Sequence, residues 1–229
     1  VPVVFDQPER FMREAFHEER DELDLVHDVG KVTNDSREYL LNIARSANEA
    51  SSQVRQAWES YSSPVDYGVN SLDLPKVVSL IDAGMPTKLY YVSYRNNAFD
   101  THVFQNNVHR RLLTYTSDAV FAFLQDLERI GRADDVALMI FSEFGRRVPE
   151  NDNLGTDHGA ANNMFVVGNQ VKGGHYGELP SLTKLNPEDN LAYTTDFRRV
   201  YQTVIEGWLG HRGSGELLGG NYQPFDMFA

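Results

Sequence analysis

Cysteine is absent from the 229 residues, and its absence excludes thiolate nucleophiles, disulfides and zinc–thiolate sites. Long apolar runs are also missing. None approaches the ~20 residues that a membrane-spanning helix needs, so no membrane partner is expected. Basic charge is scarce: 21 Lys and Arg stand against 33 Asp and Glu, giving a formal charge of −12 and a pI near 5.0. Arg110–Arg111, Arg146–Arg147 and Arg198–Arg199 are isolated doublets rather than a stripe. Such a surface repels phosphate backbones, and no nucleic-acid partner is expected. It gathers cations instead. The opening VPVVFDQPERF lacks the basic flank and apolar centre of a signal peptide, and starting on Val suggests that something precedes it.

What is present is an ordinary globular mixture, 41% hydrophobic and 24% charged, enough for a single domain with a sizeable core. Residues 1–71 read as a helical scaffold. Pro8 starts a helix with Phe11, Ala15 and Phe16 on one face and Glu14, Glu18, Glu19 and Arg20 on the other. A longer helix is expected from Arg37 to Tyr61, capped by Asn34-Asp35-Ser36, with Leu40, Leu41, Ala44, Ala47, Val54 and Trp58 as its apolar positions. The polar stretch Ser46–Gln53 interrupts that stripe. After Pro64 the pattern changes to a helix at Leu74–Ala83, a strand at Lys88–Tyr94 and a long helix from Val103 to Ile130. A buried parallel strand at Val136–Phe141, a strand at Met164–Val167 and a helix at Phe197–Leu209 follow. That order predicts an open α/β sheet. The tail from Gly213 to Ala229 is Gly-rich and is expected to pack over the surface.

Open α/β sheets place ligands beyond the carboxyl ends of their strands, and here those ends are rich in ligating groups. Strand 88–94 leads to Asp100 and His102, strand 136–141 leads to Glu143 and Arg146, and the next loop holds Asp157 and His158 between Gly155 and Gly159. Carboxylate oxygen with imidazole nitrogen suits Zn²⁺, Mn²⁺ or Fe, and the glycines allow the tight turn that would aim both side chains at one point. Each residue also has a plainer reading. Asp100 is a helix N-cap, His102 and His109 are helix-surface residues, Glu143 and Arg146 form an ion pair, and Asp157-His158 closes an Asx turn. The joint placement favours the metal. Other chemistries lack their motifs: Gly213-Ser214-Gly215 follows no strand, and the glycines of 168–174 lack the Lys-Ser/Thr ending of a phosphate loop.

The run SEFGRRVPENDNLGTDHGAANNMFVVGNQVKGGHYGELPSL, with AFDTH upstream and TTDFRRVYQTVIEGWLG downstream, resembles the family called domain of unknown function 1501 from about Leu72 to Gly210. Residues 1–71 carry nothing specific to it. That family is placed in the alkaline phosphatase and sulfatase superfamily. The resemblance therefore implies a three-layer α/β/α domain with a mostly parallel sheet, its family core at 72–210 and a tail at 211–229. It also implies a divalent metal (Zn, Mn or Ca), a small anionic phosphate or sulfate ester as substrate, and a periplasmic or secreted location. Within the superfamily an apolar strand commonly ends in Ser-Asp-His-Gly. Here the tetrapeptide is Ser142-Glu143-Phe144-Gly145, with Glu143 where a metal-binding Asp is expected and Phe144 replacing His, and Thr156-Asp157-His158-Gly159 restores the pattern. The implied metal shell is Glu143 and His158 with Asp157 close behind. Asp100 and His102 stand as the upstream Asp-and-His pair, separated by one residue instead of three.

The superfamily's opening strand, with its metal-binding Asp and the nucleophilic Ser or Thr after it, has no counterpart here. The chain is expected to be the C-terminal part of a longer precursor or a natural truncation. Its open sheet edge would be covered by a missing N-terminal segment or by another copy in a homo-oligomer. Two functions follow. One is a metal-dependent hydrolase, or the metal-bearing part of one, with Arg146 gripping the anionic ester through its planar fork. The other is a non-catalytic binding or assembly subunit that keeps the fold.

Overall fold

Residues 7–11 and 35–229 are described by the computed structural model. The chain forms two units, Val1–Asp66 with Asp73–Val92, and Tyr67–Leu72 with Ser93–Ala229. In the first, helix α1 runs over Asp35–Ser60, two residues earlier than its periodicity suggests, and α2 spans Leu74–Asp82. Among the described side chains of α1, the buried ones lie in its C-terminal half. Val54 and Ala57 are buried, whereas Ala47 and the polar residues around it are exposed. Val54 and Ala57 meet Leu80 of α2, with Phe11, Met85 and Tyr90 against them. Leu74, Val77, Val78 and Ile81 supply the i, i+3, i+4, i+7 stripe that makes α2 helical. Near Pro8 the described chain makes a single 3-10 turn, Pro8–Arg10, whose next residue, Phe11, accepts hydrogen bonds from Ser51 and Arg55. The expected continuation through Ala15 and Phe16 lies outside the described residues.

The second unit is built on α3, Gln105–Arg129, whose Ala119, Ala122, Phe123, Asp126 and Leu127 are buried at helical spacing. Asp126 is fully buried, accepting from the Tyr67 hydroxyl at 2.8 Å and from Arg129 Nε at 2.7 Å. A buried carboxylate persists when such donors replace water. Strand β1 (Leu138–Ile140) pairs antiparallel with β4 (Phe165–Val167), while β2 (Gly145–Arg146) pairs antiparallel with β3 (His158–Gly159). Helix α4 (Arg198–Thr203) passes into a π-helical turn at Val204–Trp208, and a short α5 covers Ser214–Leu218. The tail is tied down. Tyr222 N donates to Gln202, Phe225 N to Thr203, and Val171 bridges Phe228.

The expected mostly parallel three-layer sheet is overturned. The described residues hold two two-stranded antiparallel sheets and no parallel pairing. Two physical causes stand out. The chain returns from β1 to β4 through a connection with no helix in it, and a parallel crossover needs a dozen or more residues, usually helical. Segment 88–94 keeps its alternation, with Leu89 and Tyr91 exposed and Tyr90, Val92 and Tyr94 half-buried, yet it pairs with no strand among the described residues. Alternation reports a half-buried extended surface and supplies no partner.

Candidate metal centre

Two segments of the second unit build the site. The first, Tyr94 to Phe104, turns sharply at Asn96, Asn97 and Phe104, all with positive φ. Asp100 N donates to Asn97 O, and Thr101 N to Phe99 O. The N-cap position of α3 is Phe104, so Asp100 stands outside the helix and does not cap it. The second segment is β2, the loop 147–157 and β3. Arg146 lies opposite His158 in that ladder, which projects both side chains from one face. The loop then docks on the start of α3, where Phe104 N and Gln105 N donate to Asn153 O and Leu154 O. Gly155 makes this approach feasible, because a Cβ there would lie 2.2 Å from the His102 carbonyl oxygen.

Asp100, His102 and His158 converge. His158 Nε2 lies 2.7 Å from Asp100 Oδ1, His102 Nε2 lies 2.9 Å from the same oxygen, and the two Nε2 atoms are 3.1 Å apart. Two ligand atoms ~2.1 Å from one ion are about 3.0 Å apart at a right angle and about 3.4 Å apart at the tetrahedral angle. The observed triangle therefore fits three adjacent ligands of a divalent ion. A two-His, one-carboxylate face with further positions open is a recurrent metal arrangement. The three side chains are 38–43% exposed, so the open side faces solvent. Among the described residues, this is the group that meets metal-ligand distances.

Surrounding residues fix the triangle. His158 stacks on Phe144, ring centroids 3.7 Å apart and planes within 6°. His102 Nδ1 lies 3.4 Å from Asp157 Oδ1, the second-layer carboxylate that often orients a metal-bound imidazole. Arg146 donates to Thr156 O at 2.7 Å and to Phe99 O at 2.6 Å, bridging the two segments. The hydrogen bonds from His158 and then His102 hold the Asp100 carboxyl below its ordinary range, and the Asn151 amide does the same for Asp157. Both stay ionised at neutral pH and place two negative charges beside two imidazoles, an electrostatic setting that favours a cation.

Of the residues singled out in the sequence, Asp100, His102 and His158 come together, with Asp157 directly behind His102. Glu143 is exposed and outside the group. Arg146 lies beside it, its guanidinium bonded to backbone carbonyls. His109 is half-buried on α3 with its ring edge against Phe99, and burial lowers its pKa. Sequence reasoning missed Asn151 and the supporting role of Phe144. The one available signal for Asn151 was the turn-forming run Asn151-Asp152-Asn153 ahead of Gly155.

Over residues 78–204, more than half its length, the chain matches the family described as "Protein of unknown function (DUF1501)", and it belongs to that family. All of the site residues above fall within the matched span. No curated protein and no solved structure matches the chain.

Proposed function

We propose that the chain carries a divalent metal centre ligated by Asp100, His102 and His158, and that this centre acts on small anionic phosphate or sulfate esters in the manner of a hydrolase. The observation that supports it is the convergence of one carboxylate oxygen and two imidazole nitrogens within 3.1 Å. Both Nε2 atoms reach the same Asp100 oxygen, and a cation seated among the three would take the place of the protons that those hydrogen bonds use. The acidic surface favours cation capture. The relation to phosphatases and sulfatases that the sequence resemblance implies favours the ester.

A bound divalent ion supplies Lewis acidity and lowers the pKa of a bound water. The chain's own residues do the rest. Asp100 contributes charge, Asp157 orients His102, Phe144 fixes the His158 ring plane, and Arg146 holds the two segments in register. Glu143 is left outside the proposed ligand set. A second reading, a metal-binding subunit without turnover, is favoured by one contact. The hydroxyl of Thr156, the alcohol next to Asp157, is already engaged, donating to Gln105 Oε1 at 2.8 Å.

Metal analysis of the protein after dialysis against Mn²⁺, Zn²⁺ and Ca²⁺ tests the centre. The expected result is one ion per chain, lost in Asp100→Asn and His158→Ala. Retention of metal in both variants overturns the ligand set. Turnover of an aryl phosphate and an aryl sulfate separates the two readings. Activity that both substitutions abolish supports the hydrolase, and metal binding without activity supports the subunit.

A further inference from the structure

We infer that a groove between α3 and the loop before Asp157 holds the alcohol portion of the ester, and that this portion is a neutral compound carrying several hydroxyls. Its place in the reaction rests on the hydrolase reading above. The groove has a volume of about 490 Å³, a size suited to a small molecule. On one wall Asn106, Arg110 and Leu113 follow one another at i, i+4 and i+7, so they share a face of α3. On the other stand Glu150, Leu154, Gly155 and Thr156. The last two directly precede Asp157 and His158, so the groove and the proposed ligand His158 share one loop.

The polar groups of the groove are uncommitted. Among the described residues, the side chains of Asn106, Arg110 and Glu150 make no hydrogen bond or ion pair, although a guanidinium and a carboxylate line the same groove. His109, on the α3 wall, has a buried Nδ1 with no hydrogen-bond partner among them. Such an atom requires an explanation, and a bound group is one. Leu113 and Leu154 add apolar surface, each 53% exposed. One guanidinium and one carboxylate cancel, which selects against a net charge on this part of the ligand. Arg110 donates, Glu150 accepts and Asn106 does both, and a hydroxyl can satisfy all three. It can also meet the His109 nitrogen whether or not that atom carries the proton. The two leucines fit the C–H surface of a carbon frame. An alcohol without further hydroxyls would cover Arg110 and Glu150 and leave them without partners, at a desolvation cost.

The test uses the full chain, ¹⁵N-labelled and free of metal, so that it reads the groove apart from the metal centre. Methyl glucoside is the polyhydroxylated probe, and cyclohexanol, one hydroxyl on a ring of like size, is the control. The glucoside is expected to shift amide signals of 105–113 and 150–156 saturably, with cyclohexanol binding about tenfold more weakly. Arg110→Ala and Glu150→Gln, both at exposed positions, should each raise the glucoside dissociation constant about tenfold, the loss expected for one hydrogen bond to a charged group. No saturable shift, shifts confined to other residues, or variants that bind like the wild type overturn the inference. Cyclohexanol binding as tightly as the glucoside overturns the hydroxyl-bearing class. A separate Mn²⁺ titration keeps the two readings apart. Glucoside binding in a chain that takes up no Mn²⁺ supports the groove and overturns the metal reading, and Mn²⁺ uptake without a glucoside response does the reverse.

Discussion

The buried stripe of α3 and the loops of the proposed metal centre lie in one unit and are held by opposite means. Ala119, Ala122, Phe123 and Leu127 are secured by burial, Leu127 at 0% exposure, and burial is non-directional, so it fixes a helix without fixing any polar atom. The centre has little apolar burial. Asp100, His102, Asp157 and His158 keep roughly 40–55% of their side-chain surface in solvent and rely on directed contacts from Asn151, Arg146 and Phe144. Such bonds are individually worth only about 0.5–1.5 kcal/mol net, but they place atoms to within a few tenths of an ångström. Stability and site geometry should therefore respond to different substitutions.

The largest effect that would sharpen this contrast is expected from Leu127→Ala, which leaves a cavity under α3 and costs about 2–5 kcal/mol. Denaturant unfolding should show that loss while metal affinity below the transition stays within about twofold. A parallel collapse of affinity would break the contrast. Gly155→Ala comes next, because its Cβ would meet backbone, which cannot swing aside. It is expected to cost about 1–3 kcal/mol and to weaken metal binding as well, which paired unfolding and titration curves would check. His158→Ala is expected to change the metal-free melting curve little, as exposed substitutions usually stay within about 0.5 kcal/mol, yet to abolish metal binding.

The smallest effect is expected at a polar tie that serves no site. Asp196 accepts from Arg198 Nη2 at 2.6 Å, and that hydrogen bond holds its carboxyl below its ordinary range. A carboxyl with a lowered folded pKa adds stability that is present above its unfolded value, near ~3.9, and is lost as pH falls through the lower folded value. Melting curves of wild type and Asp196→Asn should therefore differ slightly at neutral pH and coincide in strong acid.

Helices were legible in the sequence and sheet direction was not. The apolar positions within 74–83 and 103–130 repeat over enough turns for the 3.6-residue period to show, and helices appear there within a residue or two of expectation, although Leu113 of the second is exposed. The β1 and β4 strands are three residues each, too short to carry a period, and strand direction depends on how the chain returns. The candidate ligands illustrate a different case. Asp100 and His102 follow a segment, 88–94, that has the pattern of a strand and forms none. They still meet His158, because the turn at Asn96 and Asn97 and the docking of the loop on α3 bring them there. Glu143 shared the same sequence logic and lacks those tethers. Asn151 was hard to read because three of its four amide contacts are with backbone atoms, and no residue pattern displays where a carbonyl points.

His102 and His158 lie 56 positions apart, so a shared ion would act as a removable cross-link. An unfolded chain seldom brings such distant groups together, and the ion therefore binds the native state in preference. By mass action that contributes about 2.7 kcal/mol when free metal stands at ~100 times its dissociation constant. The loops around the centre would then open and close on a schedule set by the surrounding metal supply. A chelator would loosen this end of the unit while the α3 core stayed folded, making local order itself a readout of ion availability.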